Sequence, residues 1–197
     1  MEKLLFATNN THKLAEVRQI LQERCALISL AEAGVQSNPV EDAPTLEGNA
    51  LIKVRDAHRL SQLPTIADDT GLEVEALDGA PGVYSARFAG EHATFEENVA
   101  LLLERLQGVP APRRACFRTV IALIDEYGTH FFEGAVNGEI TLERSGDHGF
   151  GYDPVFRPEG CQQTFAELSS EEKNAMSHRG RAVQRLARYL HALPLDE

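Results

Sequence analysis

The sequence predicts an α/β protein with a mixed β-sheet flanked by helices, and three observations support this. Short apolar strands alternate with amphipathic helices in the first third of the chain, which is typical of parallel βαβ units. The pattern changes near Arg114 to long β segments, which favour antiparallel pairing. Helical periodicity returns in the C-terminal part. We expect the two zones to form two lobes with a cleft between them, within one domain of 197 residues.

The first third of the chain contains strands and helices in alternation. The predicted strands are 4–8, 26–30, 64–69 and, as an outer strand, 72–77. Each of the two helices between them has apolar residues on one face: Leu14, Val17, Ile20 and Leu21 in the first helix, and Ala50, Leu51, Val54 and Ala57 in the second.

Capping signals mark the later helices. Thr94 with Glu97 matches a capping box, and Gly108 stands where a helix would end. Two long β segments then run from Arg114 to about Leu142. Ser169 with Glu172 is a second capping box, and we expect that C-terminal helical region to break near Gly180. Its expected buried stripe is Val183, Leu186, Leu190 and Leu193.

Composition excludes several classes of protein. The chain is 43% hydrophobic and 25% charged, as in soluble globular proteins. Its three cysteines lack CxxC spacing, which gives no support for a disulfide framework or a structural zinc site. A net charge of −11 argues against binding a nucleic-acid polymer. The first apolar run is too short for a signal peptide and no run could span a membrane, so we expect a cytoplasmic location.

The segment ATNNTHK joins the first strand to the first helix and is a candidate triphosphate site. A helix N-terminus directs backbone N–H groups and partial positive charge beyond the strand end. Thr8, Asn9 and Asn10 add short polar side chains, and Lys13 adds a cation. The glycines of a Walker A loop are missing, and an ordinary helix cap with a solvated lysine explains the same residues.

Two adjacent carboxylates, Asp68 and Asp69, follow an apolar run at the predicted end of the third strand. Carboxylates are costly to bury unless they meet a cation. Mg²⁺ accepts such oxygens together with phosphate oxygens, and one carboxylate can instead deprotonate a water. Glu41 and Glu47 are further candidate ligands. The alternative is a solvated Asp-Asp-Thr-Gly turn with surface glutamates.

Two C-terminal segments carry side chains that suit a nucleobase. Phe150 lies between two glycines, where a ring can stack on a base and stabilise it by about 1–3 kcal/mol. In the second segment, the adjacent His178 and Arg179 can donate hydrogen bonds to carbonyl oxygens. A tight turn with core aromatics explains the first segment equally well, and a charged amphipathic helix explains the second.

Six segments with similar spacing resemble one known family. They are TNNTHK (8–13), EGNALIKV (47–54), IADDTGL (66–72), GAPGVYSARFAG (79–90), GFGYDPVF (149–156) and EEKNAMSHRGRA (171–182). Together they resemble the inosine triphosphate pyrophosphatase family, also called the Ham1 or RdgB family, the non-canonical purine nucleoside triphosphate pyrophosphatases. The resemblance extends from end to end, although the segment NPVEDAPT around Glu41 departs from the acid-rich pattern of the family.

This resemblance implies a fold, an activity and an assembly. The fold is a single ITPase-like α/β domain over residues 1–197, with an elongated mixed sheet and two lobes around a central active-site cleft. The activity is Mg²⁺-dependent hydrolysis of ITP, dITP and XTP to the monophosphate and pyrophosphate, which keeps these nucleotides out of DNA and RNA. The assembly is a homodimer.

The resemblance also implies a role for each matching residue. The phosphates would be held by Thr8, Asn9, Asn10, Thr11, His12 and Lys13, with further charge from Lys53. Asp69 would be the catalytic base and a metal ligand. Glu41 would be the second metal ligand, and Asp68 is the second choice for a metal ligand. Thr70 would contact substrate. The base and sugar would be held by Phe150, Gly151, Tyr152 and Asp153, and recognition completed by Lys173, His178 and Arg179.

These assignments predict a mechanism. A water activated by Asp69 attacks the α-phosphorus, and pyrophosphate leaves in line while cations neutralise its charge. Because side chains alternate along a strand, we expect only one of Asp68 and Asp69 to meet the metal directly. Donors from Arg179, His178 or backbone N–H groups would bind the 6-oxo group of hypoxanthine or xanthine and disfavour the 6-amino group of adenine.

Two other functions stay open from the sequence. One is a pyrophosphatase for modified pyrimidine nucleotides, with the same metal chemistry and a different base pocket. The other is a non-catalytic regulator that binds nucleotides. The combination of Asp69 with Lys53 favours turnover, because a sensor needs no water-activating carboxylate beside a metal.

Overall fold

The computed structural model describes residues 3–21 and 25–192. Its strands are β1 (Lys3–Phe6), β2 (Ala26–Ser29), β3 (Thr65–Val74), β4 (Pro81–Gly82), β5 (Arg114–Asp125), β6 (Gly128–Ile140) and β7 (Phe156–Pro158). Its α-helices are α1 (Thr11–Leu21), α2 (Leu46–Ser61), α3 (Phe95–Arg105), α4 (Ser170–Met176) and α5 (His178–Ala192). Short 3₁₀ helices cover Glu75–Leu77, Ser85–Arg87 and Asp153–Val155.

The strands form a mixed sheet, as the sequence predicts. The order is β2-β1-β3-β5-β6-β7, and β4 pairs with β3 outside this path. β1 pairs in parallel with both β2 and β3, whereas β3–β4 and β6–β7 are antiparallel. The parallel pairs fall in the βαβ region and the antiparallel pairs beyond it, which confirms the predicted α/β fold.

The chain divides into two compact units. Unit 1 comprises the described residues up to Asp69, together with Thr119–Gly134 and those from Arg179 onward; unit 2 comprises Thr70–Arg118 and Ala135–His178. The chain therefore changes unit within β3, β5 and β6, and again between His178 and Arg179. The cleft between two lobes stays a prediction.

Unit 1 is layered because its strands bury side chains on both faces. Leu4 and Phe6 of β1 pack with apolar residues of α1 and α5, including Val17 and Val183. The intervening Leu5 packs with α2 through Ala50, Val54 and Ala57. Alternate residues of a strand point to opposite faces, so a fully apolar β1 joins the two layers.

Unit 2 has one core of its own. Val99 and Leu102 of α3 pack there with Phe117 of β5 and Ile140 of β6. The Thr94–Glu97 capping box is present at the start of α3, and the Ser169–Glu172 capping box at the start of α4. Both sequence predictions of helix starts are confirmed.

The predicted end of the third strand is wrong. β3 continues from Thr65 to Val74, so Asp68 and Asp69 lie inside the strand, and the expected separate strand at 72–77 does not exist. The physical reason is that both carboxylates meet cations, as described below, so burying them does not end the strand.

The predicted helix break is also misplaced. Ser177, with extended backbone, separates α4 from α5, and Gly180 lies inside α5. Val183 and Leu186 are buried as expected, and Leu190 is half-buried. Leu193 lies outside the described residues.

Candidate active site

The turn before α1 is organised by its own side chains. Thr8 Oγ1 accepts a hydrogen bond from the backbone N–H of Asn10 at 3.1 Å. Asn10 Oδ1 accepts from the N–H groups of His12 and Lys13 at 2.9 and 3.1 Å. Asn10 is thus a helix cap, as in the alternative interpretation of this segment as an ordinary cap with a solvated lysine. The side chains of Asn9, Thr11 and His12 are exposed.

Lys13 is not the solvated lysine that this interpretation supposes. Its ammonium donates to Asp68 Oδ1 at 3.1 Å, and the lysine side chain is only 16% exposed. Burial and the nearby cations Lys53 and Arg179 outweigh the attraction of Asp68, so the pKa of Lys13 is lowered. The capped turn therefore directs a cation at the acidic pair.

Asp68 is buried among cations of unit 1. Its Oδ2 accepts from Arg179 Nε at 3.4 Å, in addition to the contact with Lys13. Burial alone would raise the pKa of Asp68, but Lys13, Arg179 and Lys53 together hold it well below its usual range. Arg179 also donates to Glu16 of α1, which fixes the guanidinium between two carboxylates.

Asp69 contacts a different set of partners, as alternation along a strand predicts. Its Oδ1 accepts from Lys53 Nζ at 3.0 Å, and its Oδ2 accepts from Asn49 Nδ2 at 3.4 Å. Burial raises the pKa of Asp69, and Glu41 adds to the effect, while Lys53 and Lys13 oppose it. A carboxylate with a raised pKa is a better proton acceptor than an ordinary surface aspartate.

Lys53 joins Asp69 to Glu41. The Lys53 ammonium lies 2.7 Å from Glu41 Oε2 and 3.0 Å from Asp69 Oδ1. Burial would lower the pKa of Lys53, but the carboxylates of Asp69, Glu41 and Asp68 raise it instead. The structure thus brings the predicted metal ligands together around one cation.

The carboxylates of Asp69 and Glu41 suit a magnesium ion that takes its remaining ligands from water and substrate phosphates. Mg²⁺ is usually held by one or two carboxylates, water and substrate phosphates. Two carboxylates that already share an ammonium offer the required oxygens. No set of three or more His, Cys, Asp and Glu side chains could hold a metal by itself in the described part of the chain. Glu47 lies in the first turn of α2, where an acid stabilises the helix.

In unit 2, Phe150 lies in a loop shaped by glycines. Gly149 and Gly151 have φ of +73° and +62°, which favour glycine. A Cβ on Gly149 would lie 2.1 Å from Asp153 Oδ2. The backbone N–H of Phe150 donates to that same oxygen at 2.8 Å. The conformation of the loop is therefore set by Asp153.

Lys173 completes this arrangement. Its buried ammonium donates to Asp153 Oδ2 at 2.5 Å and lies 5.0 Å from the centroid of the Phe150 ring. The charge is thus compensated by a carboxylate and stabilised by a ring face. Three predicted residues, Phe150, Asp153 and Lys173, are in direct contact within unit 2.

For three other predicted residues, Tyr152, His178 and Thr70, the structure shows contacts or positions that belong to packing and to the strand. Tyr152 is buried in the core of unit 2, where its hydroxyl donates to the Ser85 carbonyl at 2.8 Å and burial raises its pKa. His178 is buried and stacks on Phe117 with centroids 4.6 Å apart. Thr70 follows Asp69 in β3 and is half-buried. Contact of these residues with substrate stays a prediction.

The sequence analysis missed two residues of the unit 1 site. Asn49 is buried on the apolar face of α2, and its Oδ1 accepts from the backbone of Ala43 while its amide donates to Asp69. An amide among Ala50, Val54 and Ala57 was the available signal. Glu16 pairs with Arg179, and its spacing of three residues from Lys13 gave only a weak signal.

Comparisons with known proteins identify the family. Residues 4–189 match the Ham1 family, and this range contains every predicted site residue. The chain belongs to the Ham1 family. The family resemblance found in the sequence is thereby confirmed.

Among Ham1 relatives, the dITP/XTP pyrophosphatase of Porphyromonas gingivalis is 57% identical over 96% of this chain and 98% of its own length. That of Flavobacterium johnsoniae is 45% identical, with the same coverage of both chains. A solved HAM1 protein from Coxiella burnetii superimposes with a TM-score of 0.88 at 40% identity, covering 98% of this chain and all of its own. No helix in the described residues is long and apolar enough to cross a membrane.

Proposed function

We propose that this Ham1 protein is a nucleoside triphosphate pyrophosphatase that hydrolyses dITP, ITP and XTP to the monophosphate and pyrophosphate. Curated relatives that match it over nearly the full length are named dITP/XTP pyrophosphatases. The observation that carries the proposal is the Asp69 carboxylate, which is buried in unit 1 and held by Lys53 and Asn49. Pyrophosphatase chemistry requires a base and cations at one place.

Asp69 is the proposed general base. It removes a proton from a water that attacks the α-phosphorus, and the bond from that phosphorus to the bridging oxygen breaks as pyrophosphate leaves. Lys13 and Lys53 stabilise the negative charge that develops on the leaving group. The buried Asp68 positions Lys13 and Arg179, which both donate to its carboxylate.

Mg²⁺ is the proposed cofactor, with Asp69 and Glu41 as its protein ligands. The ion would neutralise phosphate charge and orient the triphosphate. The support is that the carboxylates of Asp69 and Glu41 converge on one point, the Lys53 ammonium, and Mg²⁺ is usually held by one or two carboxylates together with substrate phosphates.

Unit 2 is the proposed site for the base and sugar. The Phe150 ring offers a stacking face, while Asp153 and Lys173 hold its loop. Donors from His178 or the backbone would favour the 6-oxo group of hypoxanthine and xanthine over the 6-amino group of adenine. The contacts of Arg179 with Asp68 and Glu16 support a different role for it, in orienting Asp68.

A panel of nucleotides tests the function. Pyrophosphate release is measured from ITP, dITP, XTP, GTP, ATP and dTTP, each with and without Mg²⁺. We expect strong Mg²⁺-dependent release from the first three and little from the others. Release from pyrimidine nucleotides alone would contradict the base assignment, and nucleotide binding without any release would indicate a regulator.

A homodimer and a cytoplasmic location are further proposals. The dimer is supported by the family resemblance alone, and light scattering of the purified protein tests it. A mass equal to one chain at micromolar concentration would contradict the dimer.

A further inference from the structure

The orientation of the Phe150 ring needs a cause beyond its own loop. Gly149 and Gly151 lack side chains, so they provide no packing beside the ring. The hydrogen bond from the Phe150 N–H to Asp153 fixes the backbone and leaves the side-chain torsions free. Contacts of the ring with other residues must therefore set the plane that a base would meet.

Lys173 supplies one such contact, with its ammonium 5.0 Å from the ring centroid, and α3 supplies another. The Phe95 ring centroid lies 5.8 Å from that of Phe150, with a tilt of 45° between the planes. This spacing lies within the range for favourable aromatic pairs, which are worth a factor of about two to ten in an equilibrium constant. Phe95 is 37% exposed, so the ring is not simply part of the core.

The backbone of Phe95 is held in a fixed place. Phe95 is the first residue of α3, directly after the Thr94 cap, whose capping box with Glu97 is complete. Asn98, one turn on, accepts from the Ala89 N–H at 2.8 Å and donates to the Ala86 carbonyl at 3.1 Å. The start of α3 is therefore tied to the preceding loop, which fixes the backbone position from which the Phe95 ring meets Phe150.

We propose that Phe95 is a positioning residue for base recognition, which acts by holding the Phe150 ring in its stacking orientation. This inference rests on the proposed function, since it requires a purine to stack on Phe150. Phe95 would contribute to the affinity for the base-bearing part of the substrate. It would not contribute to the binding of the phosphates by the unit 1 residues.

Two ligands separate this role from general damage. Inosine monophosphate carries the base, whereas inorganic pyrophosphate carries only phosphates. In Phe95→Ala we expect the Kd of inosine monophosphate to rise about three- to tenfold, with the Kd of pyrophosphate unchanged. We expect the KM for dITP to rise by a similar factor, with kcat within about twofold of wild type.

Two further variants complete the test. Phe95→Tyr keeps the ring and should bind inosine monophosphate within about twofold of wild type. Phe131→Ala removes an aromatic ring of similar exposure from β6 of unit 1 and should leave both affinities unchanged. Calorimetric titration gives the affinities, and thermal unfolding shows that each variant is folded.

The outcomes separate the inference from the proposed function. An unchanged Kd of inosine monophosphate in Phe95→Ala, or an equal loss of affinity for both ligands, would overturn the positioning role. Failure of the wild-type protein both to bind inosine monophosphate and to release pyrophosphate from dITP would overturn the proposed function, and the inference with it.

Discussion

Lys53 Nζ lies 3.0 Å from Oδ1 of Asp69, in the middle of a strand that the sequence predicts to end there. The same ammonium lies 2.7 Å from Glu41. One cation from α2 thus brings together the proposed base and the proposed second metal ligand, which are distant in sequence. The predictions below test this arrangement and the residues around it.

Glu41→Gln is expected to raise the Mg²⁺ concentration needed for half-maximal activity by about tenfold or more, because the ion loses a charged ligand. The measurement is pyrophosphate release from dITP over a Mg²⁺ titration. Asp42→Asn is the matched control, since it removes a neighbouring exposed carboxylate and should leave the titration unchanged. Identical titrations for Glu41→Gln and wild type would exclude Glu41 as a ligand.

Asp68→Asn is expected to lower the free energy of unfolding by about 3–5 kcal/mol, because it removes one charge of a buried ion pair and leaves Lys13 and Arg179 less compensated. The Glu16 contact of Arg179 persists and favours the lower end of this range. Urea denaturation followed by circular dichroism measures the change.

Glu91→Gln is the control for Asp68. It neutralises an exposed carboxylate 4.0 Å from Arg87 and should change stability by about 0.5 kcal/mol or less. Equal stabilities of Asp68→Asn and wild type would show that the negative charge of Asp68 contributes nothing to the free energy of unfolding.

Tyr189 gives a pH dependence outside the proposed site. Burial, the hydrogen bond to Asp125 and the nearby Tyr127 raise its pKa to about 12, and its hydroxyl also contacts His130 at 2.8 Å. The unfolded chain loses this proton near pH 10, whereas the native state keeps it. The contribution of the protonated Tyr189 hydroxyl to the stability of the native state is complete below about pH 10 and is lost as the pH rises toward 12.

Tyr189→Phe should therefore flatten the alkaline fall in the free energy of unfolding. Urea denaturation between pH 9 and about pH 11 measures the slope. Tyr84→Phe, an exposed tyrosine of unit 2, should keep the wild-type slope. A wild-type slope in Tyr189→Phe would show that this hydroxyl does not titrate differently in the two states.

Local patterns predicted most of the fold. Hydrophobic periodicity gave β1, α1, β2 and α2, and reciprocal polar residues gave the starts of α3 and α4. These signals lie within a few residues of the elements they define. The apolar residues of these elements lie in separate clusters of buried residues in each unit.

Tertiary partners decided what the sequence could not show. The chain through Asp68 and Asp69 has the composition of a turn, yet β3 continues because cations from α1, α2 and α5 meet the two carboxylates. The break before α5 falls at Ser177, whose backbone is extended, and Gly180 lies within the helix that follows. Asn49 and Phe95 contact partners 20 or more residues away, which spacing alone does not reveal.

The central claim is that Asp69 activates water for pyrophosphate release. The most direct test compares wild type, Asp69→Asn and the control Asp42→Asn with dITP and saturating Mg²⁺, with thermal unfolding to show that each is folded. We expect kcat of Asp69→Asn to fall by about 10²–10⁴-fold, the contribution of a positioned general base, and that of Asp42→Asn to stay unchanged. Full activity in a folded Asp69→Asn protein would contradict the account.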